Sequence, residues 1–170
     1  MATDQSLLIL GIGNSILSDD GIGIRLIEDL QKEFKHPMVH FKTACTGGLE
    51  IVEMMQNYND VYILDAIKTP NGQPGNIYYY SVDDFKETLH ISNFHDISFL
   101  IALQFMRRSG LKVPDNIRII AIEVVEDSYF SENFSSEIQK QYKNIGNKVR
   151  SYFRKHLAAK LTPIAEEIGG

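Results

Sequence analysis

The chain has a single cysteine, Cys45, which leaves no disulfide framework and no cluster of thiolates to hold a metal. It has no surplus of basic residues. Lys and Arg number 17 against 22 Asp and Glu, for a formal net charge of −5, so the electrostatic footprint of a nucleic-acid binder is missing. Long apolar runs are missing too: Leu7–Ile12 is far shorter than a membrane span, and no basic region precedes it within Met1–Ser6. The expectation is a cytoplasmic protein with no membrane segment and no secretory leader. No internal repeat or low-complexity tract interrupts the chain. No H-E-x-x-H pair stands on a helix, and no Ser-His-Asp or Cys-His arrangement is evident. What is present is ordinary for a globular protein: 170 residues, 44% hydrophobic and 23% charged, enough to bury one core without covalent staples.

Strand-length apolar runs alternate with segments of helical period. Leu7–Ile12 is apolar nearly throughout, as in a strand covered on both faces. Ile22, Leu26, Ile27, Leu30 and Phe34 then recur at helical spacing. Val39–Ala44 reads as a second strand, Leu49–Tyr58 as a short helix, and Val61–Leu64 as a third strand ended by Asp65. Thr69–Gly75 is a loop rich in turn formers, and Ile77–Tyr80 follows as an edge strand. His95–Arg108 is a helix closed by Gly110, its apolar residues nearly encircling it, so deep packing is expected. Ile117–Val125 is the last strand and Ser135–Leu157 the final helix. This order implies an α/β fold, a three-layer α/β/α sandwich with a mostly parallel sheet of about five strands. One domain spans residues 1–157, and 158–170 reads as a flexible tail.

The opening segment carries the chemistry. Gly11-Ile12-Gly13-Asn14, then Ser18-Asp19-Asp20-Gly21-Ile22-Gly23, reads as a strand, a glycine turn and a helix entered behind two acids. A dinucleotide fits poorly, because Ile16 stands where the third glycine of G-x-G-x-x-G belongs and Asp19-Asp20 would repel a pyrophosphate. Loops after the first and third strands of a parallel sheet share an edge, so Asp20 and Asp65 can converge there, with His95 joining if its helix starts at that edge. Two carboxylates and one imidazole make an O,O,N site open to nickel, zinc, manganese or iron. Each residue also has a plain structural role open to it: Asp20 as a helix cap, Asp65 bonded to turn amides, His95 as a capping or packing side chain. His36, His40, His90 and His156 lie in polar contexts and read as structural, and Cys45 as a small buried residue.

These residues resemble the opening motif of the nickel-iron hydrogenase maturation endopeptidases. Thr46-Gly47-Gly48-Leu49-Glu50 is similar to the family's G-T-x-G segment, and Leu64-Asp65-Ala66 with Pro74-Gly75 to its D-A…P-G block. His95, fifteen residues before Gly110, stands where the family keeps its histidine. The resemblance covers Leu7 to Phe153. It departs at Thr43-Ala44-Cys45, where the family commonly has D-G-G.

The resemblance implies a twisted sheet between helical layers and a metal site made by Asp20, Asp65 and His95. It also implies removal of a C-terminal extension from the hydrogenase large-subunit precursor after nickel insertion. The nickel is that of the precursor, with other divalent cations able to substitute. Asp19 is a candidate auxiliary carboxylate for metal-dependent hydrolysis, and the glycines of the turn are candidates for admitting a substrate's backbone. Two other classes remain open. One is a non-catalytic maturation chaperone that recognises the nickel-loaded large subunit, and the other a small-molecule hydrolase on a similar frame.

Overall fold

The computed structural model describes residues 6–45, 48–84 and 94–161, with side chains described for 6–45, 48–84 and 99–158. Its elements, in chain order, are β1 (Leu7–Ile12), α1 (Ile22–Glu33), β2 (Val39–Ala44), α2 (Leu49–Met55), β3 (Asp60–Ile67), β4 (Ile77–Ser81), α3 (Phe94–Arg108), β5 (Asn116–Glu123) and α4 (Ser136–Leu161). A 3-10 turn, Ser18–Gly21, leads into α1. The described strands form one sheet in the order β2-β1-β3-β5-β4. β1 pairs in parallel with β2 and β3, and β3 with β5, while β4 closes one edge antiparallel to β5.

Side chains alternate across a strand, so a strand between two helical layers must be apolar on both faces. β1 meets that demand. Leu8, Leu10 and Ile12 enter one core with Ile51, Val52 and Met55 of α2 and Leu103 and Met106 of α3. Leu7 and Ile9 enter the opposite core with Leu26, Ile27 and Leu30 of α1 and Val149 and Phe153 of α4. The result is the expected three-layer α/β/α sandwich.

Three expectations shift. α3 is buried on one side only: Leu100, Leu103 and Met106 face the sheet while Ile101 and Phe105 are exposed. A helix in an outer layer has a single sheet to cover, whatever its own composition. The final helix continues past the expected end at Leu157 to Leu161, and residues 162–170 of the expected tail lie outside the described residues. Cys45 is exposed rather than buried, because the chain leaves the sheet at Ala44. Among the described residues, no helix is long and apolar enough to cross a membrane.

Candidate functional site

The turn that carries Asp20 is pressed onto the sheet. At Gly13, φ is +137°, and a Cβ there would stand 1.9 Å from the carbonyl oxygen of Asp20. At Gly23, in the first turn of α1, a Cβ would stand 2.4 Å from the carbonyl oxygens of both Ile12 and Leu64. The start of α1 therefore sits directly on the end of β1 and against β3 at Leu64. This is why the segment needs glycines: its own backbone fills the space that a side chain would take. The same holds at Gly21, where a Cβ would lie 2.9 Å from the Cα of Ser15.

Asp20 is 5% exposed, and its Oδ2 accepts the Asn14 N–H at 2.6 Å, which fixes the carboxylate against the turn. Asp65 lies one strand away. Gly11 pairs with Leu64, which sets Asp65 level with Ile12 at the carboxyl edge of the sheet. Asp65 does not end its strand, as expected, because β3 goes on pairing with β5 through Asp65↔Ala121, Ala66↔Ile122 and Ile67↔Glu123. Main-chain bonding is indifferent to the polarity of the side chain at that position. Val61, Ile63 and Ile67 face the α2 and α3 layer, so alternation directs Asp65 to the same side. Asp65 is half-buried, and its Oδ1 accepts the Ala66 N–H at 2.8 Å.

His95 is the second residue of α3. Met106, near the helix's other end, meets Gln56 with Nε2 to Sδ at 3.7 Å, just ahead of the start of β3. The helix then leads into β5, whose first residue Asn116 pairs with Asp60 at the amino edge of the sheet. α3 thus runs against the parallel strands, and its first turn comes at the edge of Asp20 and Asp65. The His95 imidazole lies outside the described side chains. Among the described residues, no group of three His, Cys, Asp or Glu side chains is gathered for a metal.

Asp19 has a different part. It is fully buried, and its carboxylate accepts backbone N–H groups from Val125 at 3.2 Å, Glu126 at 3.0 Å and Ser135 at 2.7 Å. Its own N–H donates to the Glu126 carbonyl at 2.9 Å. One buried charge therefore ties the segment after β5, and the entry to α4, onto the turn that carries Asp20.

A third buried carboxylate, beside Asp19 and Asp20, carries no site expectation in the sequence. Glu123 ends β5, 2% exposed, and accepts both the Thr69 N–H at 2.7 Å and the Thr69 hydroxyl at 2.8 Å. The Gly75 N–H donates to its carbonyl oxygen at 2.8 Å, and a Cβ at Gly72 would collide with the carboxylate. Glu123 thus anchors the Thr69–Gly75 loop at the same edge of the sheet. The signal was available: like Asp65, it is a lone acid inside an apolar strand.

Among the described residues, the other histidines are bonded within the fold. His40 Nδ1 lies 2.8 Å from the Tyr58 hydroxyl, His156 Nδ1 lies 2.8 Å from the Tyr152 carbonyl, and His36 Nδ1 accepts the Met38 N–H at 3.1 Å. His90, Thr46 and Gly47 lie outside the described residues.

Comparison with known proteins agrees with this frame. The chain matches the family model of the hydrogenase maturation protease over residues 24–151. It is 36% identical over 70 residues to the hydrogenase 2 maturation protease of Escherichia coli, covering 41% of this chain and 43% of that protein. It is 25% identical over 148 residues to the hydrogenase expression/formation protein HupD of Thiocapsa roseopersicina, covering 83% of this chain and 64% of that protein. The chain therefore spans less than two thirds of the length of each of these curated relatives. Among solved structures, the hydrogenase maturating endopeptidase HybD from E. coli has the same fold. The TM-score is 0.73 at 20% identity, over 89% of this chain and 93% of that one.

Proposed function

Since the chain belongs to the hydrogenase maturation protease family, we propose that it is the endopeptidase for a nickel-iron hydrogenase large-subunit precursor, removing the C-terminal extension once nickel is in place. Asp20, Asp65 and His95 are the side chains we assign to recognising that nickel. What supports the assignment is their common edge: the turn of Asp20 is seated on the end of β1 and against Leu64 of β3, Asp65 is level with Ile12, and α3 begins on the same side. Two carboxylates and an imidazole suit a first-row divalent ion such as nickel, with zinc, manganese and iron as substitutes. The ion arrives with the precursor, so it belongs to the substrate and marks it as ready.

Hydrolysis adds water across one peptide bond, the hydroxyl joining the new C-terminal carbonyl and the proton leaving with the released amine. Asp19 is not the proton carrier in this scheme. Its oxygens are committed to three backbone N–H groups, which makes it a positioning residue for the turn that presents Asp20.

The test is intact-mass analysis of nickel-loaded and nickel-free precursor after incubation with the protein. The expected outcome is shortening of the nickel-loaded form alone, abolished in Asp65→Ala and in His95→Ala with the fold retained by circular dichroism. Normal shortening by either variant would remove these residues from the site. Binding that leaves the precursor's length unchanged would favour a chaperone.

A further inference from the structure

We propose that the loop between β5 and α4 docks the precursor, seating an apolar segment of it on the rings of Tyr129 and Phe130. This rests on the reading of the substrate given above. Tyr129 is 67% exposed and Phe130 76%, two adjacent aromatic side chains turned to water. An exposed ring on a loose loop would carry little meaning. This loop is instead tied down by hydrogen bonds along its length. Asp19 holds Val125 and Glu126 at its start and Ser135 at its end. Glu126 Oε1 accepts the Ser128 hydroxyl and the N–H groups of Ser128 and Tyr129, at 2.8 to 2.9 Å, which hold its carboxyl below the usual glutamate range. The hydroxyls of Ser18 and Ser131 both donate to the Asn133 carbonyl.

Those bonds fix the backbone beneath the rings and do nothing to bury them. A rigid loop that presents aromatic side chains has already lost the freedom that binding would remove, and aromatic anchors of this kind carry most of the energy of protein interfaces. The position names the occupant. The Ser131 N–H donates to the Ile16 carbonyl at 3.0 Å, and the Ser18 N–H donates to the Ser131 carbonyl at 2.8 Å, so the aromatic loop and the turn of Asp20 form one hydrogen-bonded unit. Ile16 and Val125, both exposed, extend the apolar surface on that unit. A protein whose nickel-bearing end enters the carboxylate edge must lie across this surface.

The measurement is the Kd and KM of the nickel-loaded large-subunit precursor for the wild-type protein and for the Tyr129→Ser/Phe130→Ser double variant. We expect Kd and KM to rise together by roughly tenfold or more, the range of an interface anchor. The unfolding midpoint and the exchange protection of the Ser135 amide stay at wild-type values, and the Tyr129→Phe/Phe130→Leu double variant keeps tight binding. Unchanged Kd in the serine variant overturns the docking surface. So does loss of a wild-type self-association in that variant with precursor affinity intact, because the rings would then serve a second copy. Wild-type protein that binds the precursor without shortening it, with binding lost in the serine variant, supports the docking surface while overturning hydrolysis. Wild-type protein that neither binds nor shortens it overturns both.

Discussion

At the residue scale, two adjacent aspartates divide the work. Asp20 accepts a short bond from the Asn14 N–H, and Asp19 is surrounded by N–H donors from a segment more than a hundred residues further along the chain. Asp19→Asn tests that division. An asparagine has the same shape but replaces one acceptor oxygen with an NH2, which then opposes the N–H donors around it. The expected cost is about 2 kcal/mol or more in urea unfolding, since buried donors lose their acceptor. The loop after β5 should also lose exchange protection at Val125 and Glu126. A change within about 0.5 kcal/mol, the range of an ordinary surface substitution, would contradict the structural role. The sequence placed Asp19 beside Asp20 but held no sign of which acid would be consumed. Its partners lie 106 to 116 positions away, and side-chain bonds to distant backbone leave no pattern in composition or period.

At the element scale, the site depends on how α1 is set on the sheet. Gly23 has the carbonyls of Ile12 and Leu64 where a Cβ would be, so Gly23→Ala must push the helix away from the end of β1 and from Leu64 of β3. We expect a loss of about 1–3 kcal/mol, as for other overpacked positions, read from chemical denaturation. Processing should fall with it, because the turn of Asp20 moves relative to Asp65. Wild-type stability in this variant would mean that the close seating is not needed. The glycines were legible as a turn, and their purpose as close packing was not, since only the register of β1 with β3 shows what they meet. Asp65 is the reverse case. Its importance was legible because a carboxylate after Val61-Tyr62-Ile63-Leu64 needs a partner. Its position inside β3 was not, because strand length follows from pairing with β5.

At the scale of the whole molecule, the three-layer sandwich was readable from alternation of short apolar runs and helical periods. The uniformly apolar Leu7–Ile12 announced a strand covered on both faces, and its side chains divide between two cores as that demands. α3 was misread because an apolar residue on an outer helix can face either the sheet or water, and Ile101 and Phe105 face water. The fold brings the Asp20 turn, Asp65 and the first turn of α3 to one edge, next to the aromatic loop held by Asp19. On the function proposed above, this edge receives the precursor's nickel. The most direct measurement is nickel-edge X-ray absorption of the nickel-loaded precursor, alone and mixed with the protein, frozen before cleavage. The expected result is that the wild-type protein adds nitrogen and oxygen scattering to the nickel and that His95→Ala and Asp65→Ala each lose part of it. Identical spectra for the precursor alone and in the wild-type complex would contradict it.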